Sequence, residues 1–385
     1  MDGGNCKKRL FCVDLLRGID IFYLLVIWYC LLAPGFFKVW PVKGIPGMEA
    51  FWYHALTAFE APGRASTGFG ILDFTQPLFI FVTGVSASLA MRKFVTDGGV
   101  DLRAFWKRLI SRTLMLWACG SLIRGVLTCR LFTGSQPSFC LYSDTLHTIA
   151  LAYFAASVGL LLRKAWIRLA VGLSLIAGTA VVMALCGDYT QHGNAARLIE
   201  EAVYSAMGGR AKDFCYLLTT FTWAGMGVLA SLAGDVLKNG WTVWTKARTL
   251  AAAGLAAFFV GWVLGFWIPP IRYIYTVSFV FETLGLATLL LAGLFVLTDI
   301  WNVRRGMGLL ILFGQCSLTA WMCMNFFQDS MTAAAVCLVR GLPDLLGTAT
   351  YQPIFLNVAK AAILIWVLWA WRRLRMSRKL PQPPV

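Results

Sequence analysis

The chain has 385 residues, 59% of them hydrophobic and 14% charged, with a mean hydropathy of +0.70. So apolar a composition excludes a single water-soluble core, because ordinary soluble domains carry about 25% charged residues. The net charge of +16 does not point to nucleic acid, since the basic residues flank apolar runs rather than forming a basic helix or aromatic-basic module. Anionic lipid headgroups are the simpler partner, and the 11 cysteines show no paired metal-ligand spacing.

Apolar runs long enough to cross a bilayer number about ten. In chain order they cover 16–35, 72–91, 106–127, 145–162, 165–186, 214–235, 249–268, 275–298, 307–327 and 354–371. The longer connections are 36–71, 128–144, 187–213 and 328–353, and the rest are short. The expectation is therefore an all-α polytopic bundle, 1–385 forming one transmembrane domain with an N-terminal stub 1–15, an external first loop 36–71 and a tail 372–385. Lys7, Lys8 and Arg9 precede the first run as a secretory signal would. Asp14, Arg17 and Asp20 interrupt the approach, so the first helix reads as retained. With the N-terminus inside, most of the 34 Lys and Arg fall on the cytoplasmic side although the external loops are longer. That bias supports an even number of spans with both termini cytoplasmic.

Charges inside the runs are the first functional candidates, because hydrocarbon tolerates them only in a bundle interior or a wet cavity. Asp14, Arg17 and Asp20 succeed one another at intervals of three and read as a structural ion cluster at the start of the first span. His54 follows the aromatic stretch Phe51-Trp52-Tyr53 at the outer interface, where a base beside a carboxylate suits proton transfer. Asp73 opens the second span four residues before Pro77, a position favoured by the helix dipole. Arg112 and Arg124 lie in the third span, and Cys129 and Cys140 share the loop after it, either as a disulfide or as free thiols. His147 in the fourth span reads as a packing hydrogen-bonder. Glu282 in the eighth is a proton or cation relay, or else a buried partner of Ser278 or Thr283.

Four blocks resemble a known family. Arg9-Leu10-Phe11-Cys12-Val13-Asp14-Leu15-Leu16-Arg17-Gly18 is similar to the opening of the heparan-alpha-glucosaminide N-acetyltransferase family and its bacterial relatives. Leu72-Asp73-Phe74-Thr75-Gln76-Pro77-Leu78-Phe79-Ile80-Phe81-Val82-Thr83-Gly84-Val85-Ser86 resembles its D-x-x-x-P-x-F-x-F-x-x-G-x-S signature. Thr145-Leu146-His147-Thr148-Ile149-Ala150-Leu151-Ala152-Tyr153 and Pro270-Ile271-Arg272-Tyr273-Ile274-Tyr275-Thr276-Val277-Ser278-Phe279-Val280 resemble two further family motifs, in family order.

The resemblance implies a multi-pass acetyltransferase of the cytoplasmic (inner) membrane of a bacterium. It would take acetyl-CoA from the cytoplasm and pass the acetyl group to a sugar or glycan amine or hydroxyl outside. His54 would then be the catalytic group with Asp73 beside it. Arg17, Arg92, Lys93, Arg108 and Arg112 form an inner basic rim for the coenzyme's phosphates, and Arg272, Ser278 and Glu282 are expected on the acceptor side. The bilayer and the glycan acceptor are the expected partners, with homo-oligomers allowed and neither a metal nor nucleic acid expected. From other classes, a transporter or flippase of a glycan-linked or small anionic substrate and a non-catalytic receptor or assembly protein remain as alternatives.

Overall fold

The computed structural model describes residues 10–32, 71–96, 99–124, 145–190, 193–206, 215–341 and 352–377. The described residues are helical apart from connections and one two-residue antiparallel ladder. They fall into two compact units, one within Met1–Tyr53 and Trp301–Val385, the other within His54–Ile300.

The larger unit holds α2 (Ile71–Met91), α3 (Leu102–Arg124), α4 (Thr145–Gly159), α5 (Ala165–Cys186), α6 (Ala195–Ala206), α7 (Thr219–Lys238), α8 (Val243–Leu264) and α9 (Val277–Phe295). A wider turn, Val296–Ile300, continues α9. The ladder, β1 (Val95–Thr96) on β2 (Gly99–Val100), carries the chain from α2 to α3. At the centre stands α7, which packs on α2, α4 and α5, while α8 packs chiefly on α9. Burial follows this arrangement. The spans of α2 and α7 are 78% and 67% buried, whereas those of α5 and α8 are 22% buried and turn apolar side chains outward. An outward apolar face of that extent suits lipid.

Small residues permit the central crossings. A methyl group on Gly227 of α7 would stand 2.8 Å from the carbonyl oxygen of Ala152 in α4, and Gly84 of α2 meets the carbonyl of Gly227 itself. Backbones approach closely here in the manner of small-residue helix crossings in membranes. At one end of the bundle Ala87, Met91, Phe105, Leu109, Tyr153, Ala156 and Leu160 join α2, α3 and α4. At the other, Met183, Ala196, Tyr216, Ile271 and Ile274 join α5 and α6 to the segments that precede α7 and α9.

The smaller unit begins with α1 (Phe11–Phe22), continued by a wider turn over Tyr23–Leu32. It also contains α10 (Gly308–Gln315), α11 (Ser317–Phe326), α12 (Gln328–Val339) and α13 (Gln352–Ser377). Helix α1 lies on α10 at Gly18 and Gly314, each facing the backbone carbonyl of the other helix, and Phe22 meets Phe313 edge-to-face at 5.3 Å. Helix α13 packs on α12 and on the wider turn after α1.

Among the described residues, six helices are long and apolar enough to cross a membrane, or up to seven if α10 and α11, bent by 76°, count as one span. All ten apolar runs of the sequence have a helical counterpart, but not all meet that standard. α3 is long enough but draws Arg103, Lys107, Arg108 and Arg112 into its first half, and α4 has only 15 residues. The ninth run is broken at Cys316, and two helices, α6 and α12, stand in stretches expected as connections.

Candidate functional site

The end of the larger unit where α2, α7 and α9 begin carries a buried polar cluster. Asp73 lies in the first turn of α2, where the helix dipole favours its carboxylate, and Pro77 supplies no N–H to the Asp73 carbonyl. Its Oδ1 accepts a 3.0 Å hydrogen bond from Arg272 Nη1. Both side chains are buried, at 4% and 10% exposure.

Arg272 is delivered by the turn between α8 and α9. There the Thr276 hydroxyl accepts from the Ile271 N–H at 2.9 Å and donates to the Pro269 carbonyl at 2.9 Å. Ser278 lies 3.2 Å from the Thr276 hydroxyl. The turn holds Tyr275 in the left-handed region, φ 49°, which costs a residue with a side chain about 1–3 kcal/mol.

Gln76, on the next turn of α2 after Asp73, accepts from the Tyr275 hydroxyl at 2.7 Å. Its amide nitrogen points to Cys215 Sγ at 4.0 Å, and Cys215 is also left-handed, φ 63°. One glutamine thus bridges two residues held in an uncommon backbone conformation. Trp223 of α7 closes the cluster, its ring 4.4 Å from that of Tyr275 and its buried indole N–H without a partner among the described residues.

Helix α6 lies over the same segments. Asn194 caps it by accepting from the Arg197 N–H at 2.8 Å, and the buried Glu200 carboxylate accepts from the Leu217 N–H at 2.8 Å. Burial pushes the Glu200 carboxyl up to about 7, against the lowering effect of that backbone hydrogen bond. Asp188, exposed in the turn before α6, is held low by hydrogen bonds from the Thr190 side chain and backbone.

At the other end of the same helices, Asp235 of α7 gathers three donors. Arg92 after α2 and Arg168 at the start of α5 form ion pairs with it, and Ser88 Oγ donates to its Oδ1 at 2.5 Å. Arg168 is 2% exposed, Arg92 43%. Lys238 donates to the Leu89 carbonyl at 2.8 Å.

The structure brings some sequence candidates together and separates others. Asp73, Arg272 and Ser278 share the first cluster. Glu282 does not join it but lies against α8, where a side chain at Gly261 would meet its Cγ at 2.8 Å. Of the expected inner rim, Arg92 is drawn to Asp235, Lys93 sits 4.5 Å from the Phe94 ring, Arg112 lies 4.8 Å over the Tyr153 ring, and Arg108 is exposed. Arg17 belongs to the smaller unit and pairs with Asp14 at 3.6 Å. Asp20 does not complete that pair: it is 3% exposed, and neither carboxylate oxygen has a hydrogen-bond partner among the described residues. Steps of three residues fall short of a 3.6-residue turn, so the third member rotates away from the first. His147 is buried, with Nε2 3.1 Å from the Ser121 hydroxyl and its ring 4.6 Å from that of Trp117, a packing role. His54, Cys129 and Cys140, and the side chain of Arg124, lie outside the described residues.

Asp235, Arg168, Gln76, Tyr275 and Trp223 escaped the sequence reading as site residues. For Arg168 and Asp235 the sequence does hold a signal, since each is a charge near the edge of an apolar run. Gln76 and Tyr275 carry no charge pattern that would single them out.

No family model matches the chain, and no curated protein matches it either. The chain is an α-helical protein with several helices apolar enough for a membrane; what it does rests on its own residues.

Proposed function

We propose that the chain is a multi-pass membrane acyltransferase with about ten spans and both termini cytoplasmic. It moves an acetyl group from cytoplasmic acetyl-CoA to a sugar or glycan amine or hydroxyl on the far side of a bacterial inner membrane. The observation that carries this reading is the meeting of two sequence blocks that resemble the acetyltransferase family. Asp73 and Gln76 of one meet Arg272 and Tyr275 of the other, about 200 residues further along, in a single buried polar cluster.

In this reading the acceptor nitrogen or oxygen attacks the thioester carbonyl, the carbon–sulfur bond breaks, and coenzyme A leaves as the thiol. His54 takes the acceptor's proton. The Asp73–Arg272 pair holds the start of α2 in place and offers a guanidinium to negative charge developing on the carbonyl oxygen. The exposed cations Arg92, Lys93 and Arg108 suit the coenzyme's phosphates by charge.

The test is to give the purified protein labelled acetyl-CoA and a panel of amino sugars and glycans. Transfer is expected with the natural sequence and lost in His54→Ala, with thermal unfolding unchanged. Equal transfer by His54→Ala removes the mechanism, and no product with any acceptor removes the activity.

One observation favours a second reading, a transporter or flippase. The helix pair α10–α11 is bent by 76° at Cys316, and broken helices build substrate sites in transporters. Substrate accumulation in proteoliposomes without acetyl-CoA would select it.

A further inference from the structure

The Asp235 cluster is unbalanced in a way that calls for a ligand. Among the described contacts a single carboxylate serves two guanidinium groups, leaving one positive charge uncompensated in a place where Arg168 is 2% exposed. Arg168 spends one Nη on Asp235 and the other on Ser231 Oγ at 3.4 Å, and its buried Nε–H has no acceptor. Arg92 is 43% exposed and meets Asp235 through Nη1. Asp101, the nearest acidic residue along the chain among the described ones, caps α3 by accepting from the Ala104 N–H at 3.1 Å. A buried cation normally has its counter-charge beside it, and a guanidinium fork pairs with a carboxylate or with a phosphate, the latter offering enough oxygens and charge for two arginines at once.

We propose that Arg92 and Arg168, held ready by Asp235, form a binding site for a phosphate oxyanion at the end of α2 and α7, beside Lys238 of α7, which donates to Leu89 in the last turn of α2. The phosphate comes either from a soluble phosphate ester, of which coenzyme A is one under the acyltransferase reading, or from a lipid headgroup. Asp235 then acts as an internal stand-in that the ligand displaces from Arg92.

The experiment uses the full chain in nanodiscs of phosphatidylcholine alone and of phosphatidylcholine mixed with phosphatidylglycerol, titrated calorimetrically with inorganic pyrophosphate. Saturable binding is expected in neutral discs, about tenfold weaker in Arg92→Gln. Binding that persists in anionic discs identifies a soluble phosphate as the ligand, and binding abolished there identifies the lipid phosphate. Should Arg168→Gln fail to fold, the exposed position of Arg92 keeps the test intact. No saturable binding in neutral discs, or equal binding by Arg92→Gln, overturns the site. Acetyl transfer is not measured in this titration, so loss of the site and loss of the acyltransferase reading are separate results.

Discussion

Asp73 and Arg272 stand 199 residues apart in the chain and 3.0 Å apart in the fold. Removing either side chain takes a buried ion-pair partner from the other, a loss of about 3–5 kcal/mol. Asp73→Leu and Arg272→Leu are therefore each expected to destabilise the protein by that amount, and the double substitution by distinctly less than their sum. A double-mutant cycle on unfolding in mixed detergent micelles measures the coupling, and simple additivity would show that the pair does not hold α2 to the α8–α9 turn.

Glu200 gives the fold a dependence on pH. Its carboxyl titrates near 7 in the folded chain against an ordinary value of 4.5. The folded state thus holds a proton that the open state releases, and the docking of α6 is most stable below about pH 4.5. Its stability falls as pH rises toward 7 and levels off above that. Hydrogen exchange at the Leu217 amide should quicken over that window, and Glu200→Gln should flatten the response.

The two glycines Gly227 and Gly293 make a contrast within one unit. A side chain at Gly227 meets the Ala152 carbonyl carbon and oxygen, backbone atoms that cannot swing aside, whereas nothing lies within 4 Å of a methyl at Gly293. Gly227→Val is expected to cost about 1–3 kcal/mol or more, and Gly293→Ala to be neutral or stabilising by up to about 1 kcal/mol. Chemical or thermal unfolding of the two variants side by side checks the ranking.

Sidedness can be read from thiols. Cys186 ends α5 and is exposed, and Asn239, also exposed, follows the opposite end of the bundle after α7. In right-side-out vesicles an impermeant maleimide should modify Cys186 directly and Asn239→Cys only after permeabilisation, mapped by peptide mass spectrometry. Modification of both from one side would refute the orientation.

The helices were legible because lipid imposes a simple rule on sequence: long apolar runs with charges at their ends. Asp73, Arg272 and Ser278 were legible as candidates because each sits in a distinctive local motif. Their convergence was not, since it depends on which helices pack together. Glu282 illustrates the limit, because nothing local told that it would face α8 rather than the cluster. The break at Cys316 was hidden because the two helices on either side of it together are apolar enough to read as one span, although Gln315 is itself polar. Helix α6 went unread because its polar face made the segment resemble a loop.

Helix α7 bears Trp223 on one polar cluster and Asp235 on the other. At about 1.5 Å per residue the two side chains project from one rod some 18 Å apart. Whatever shifts α7 at the carboxylate shifts the same rod that seats the indole against Tyr275. Carboxylate and indole are then two marks of a single helix's displacement.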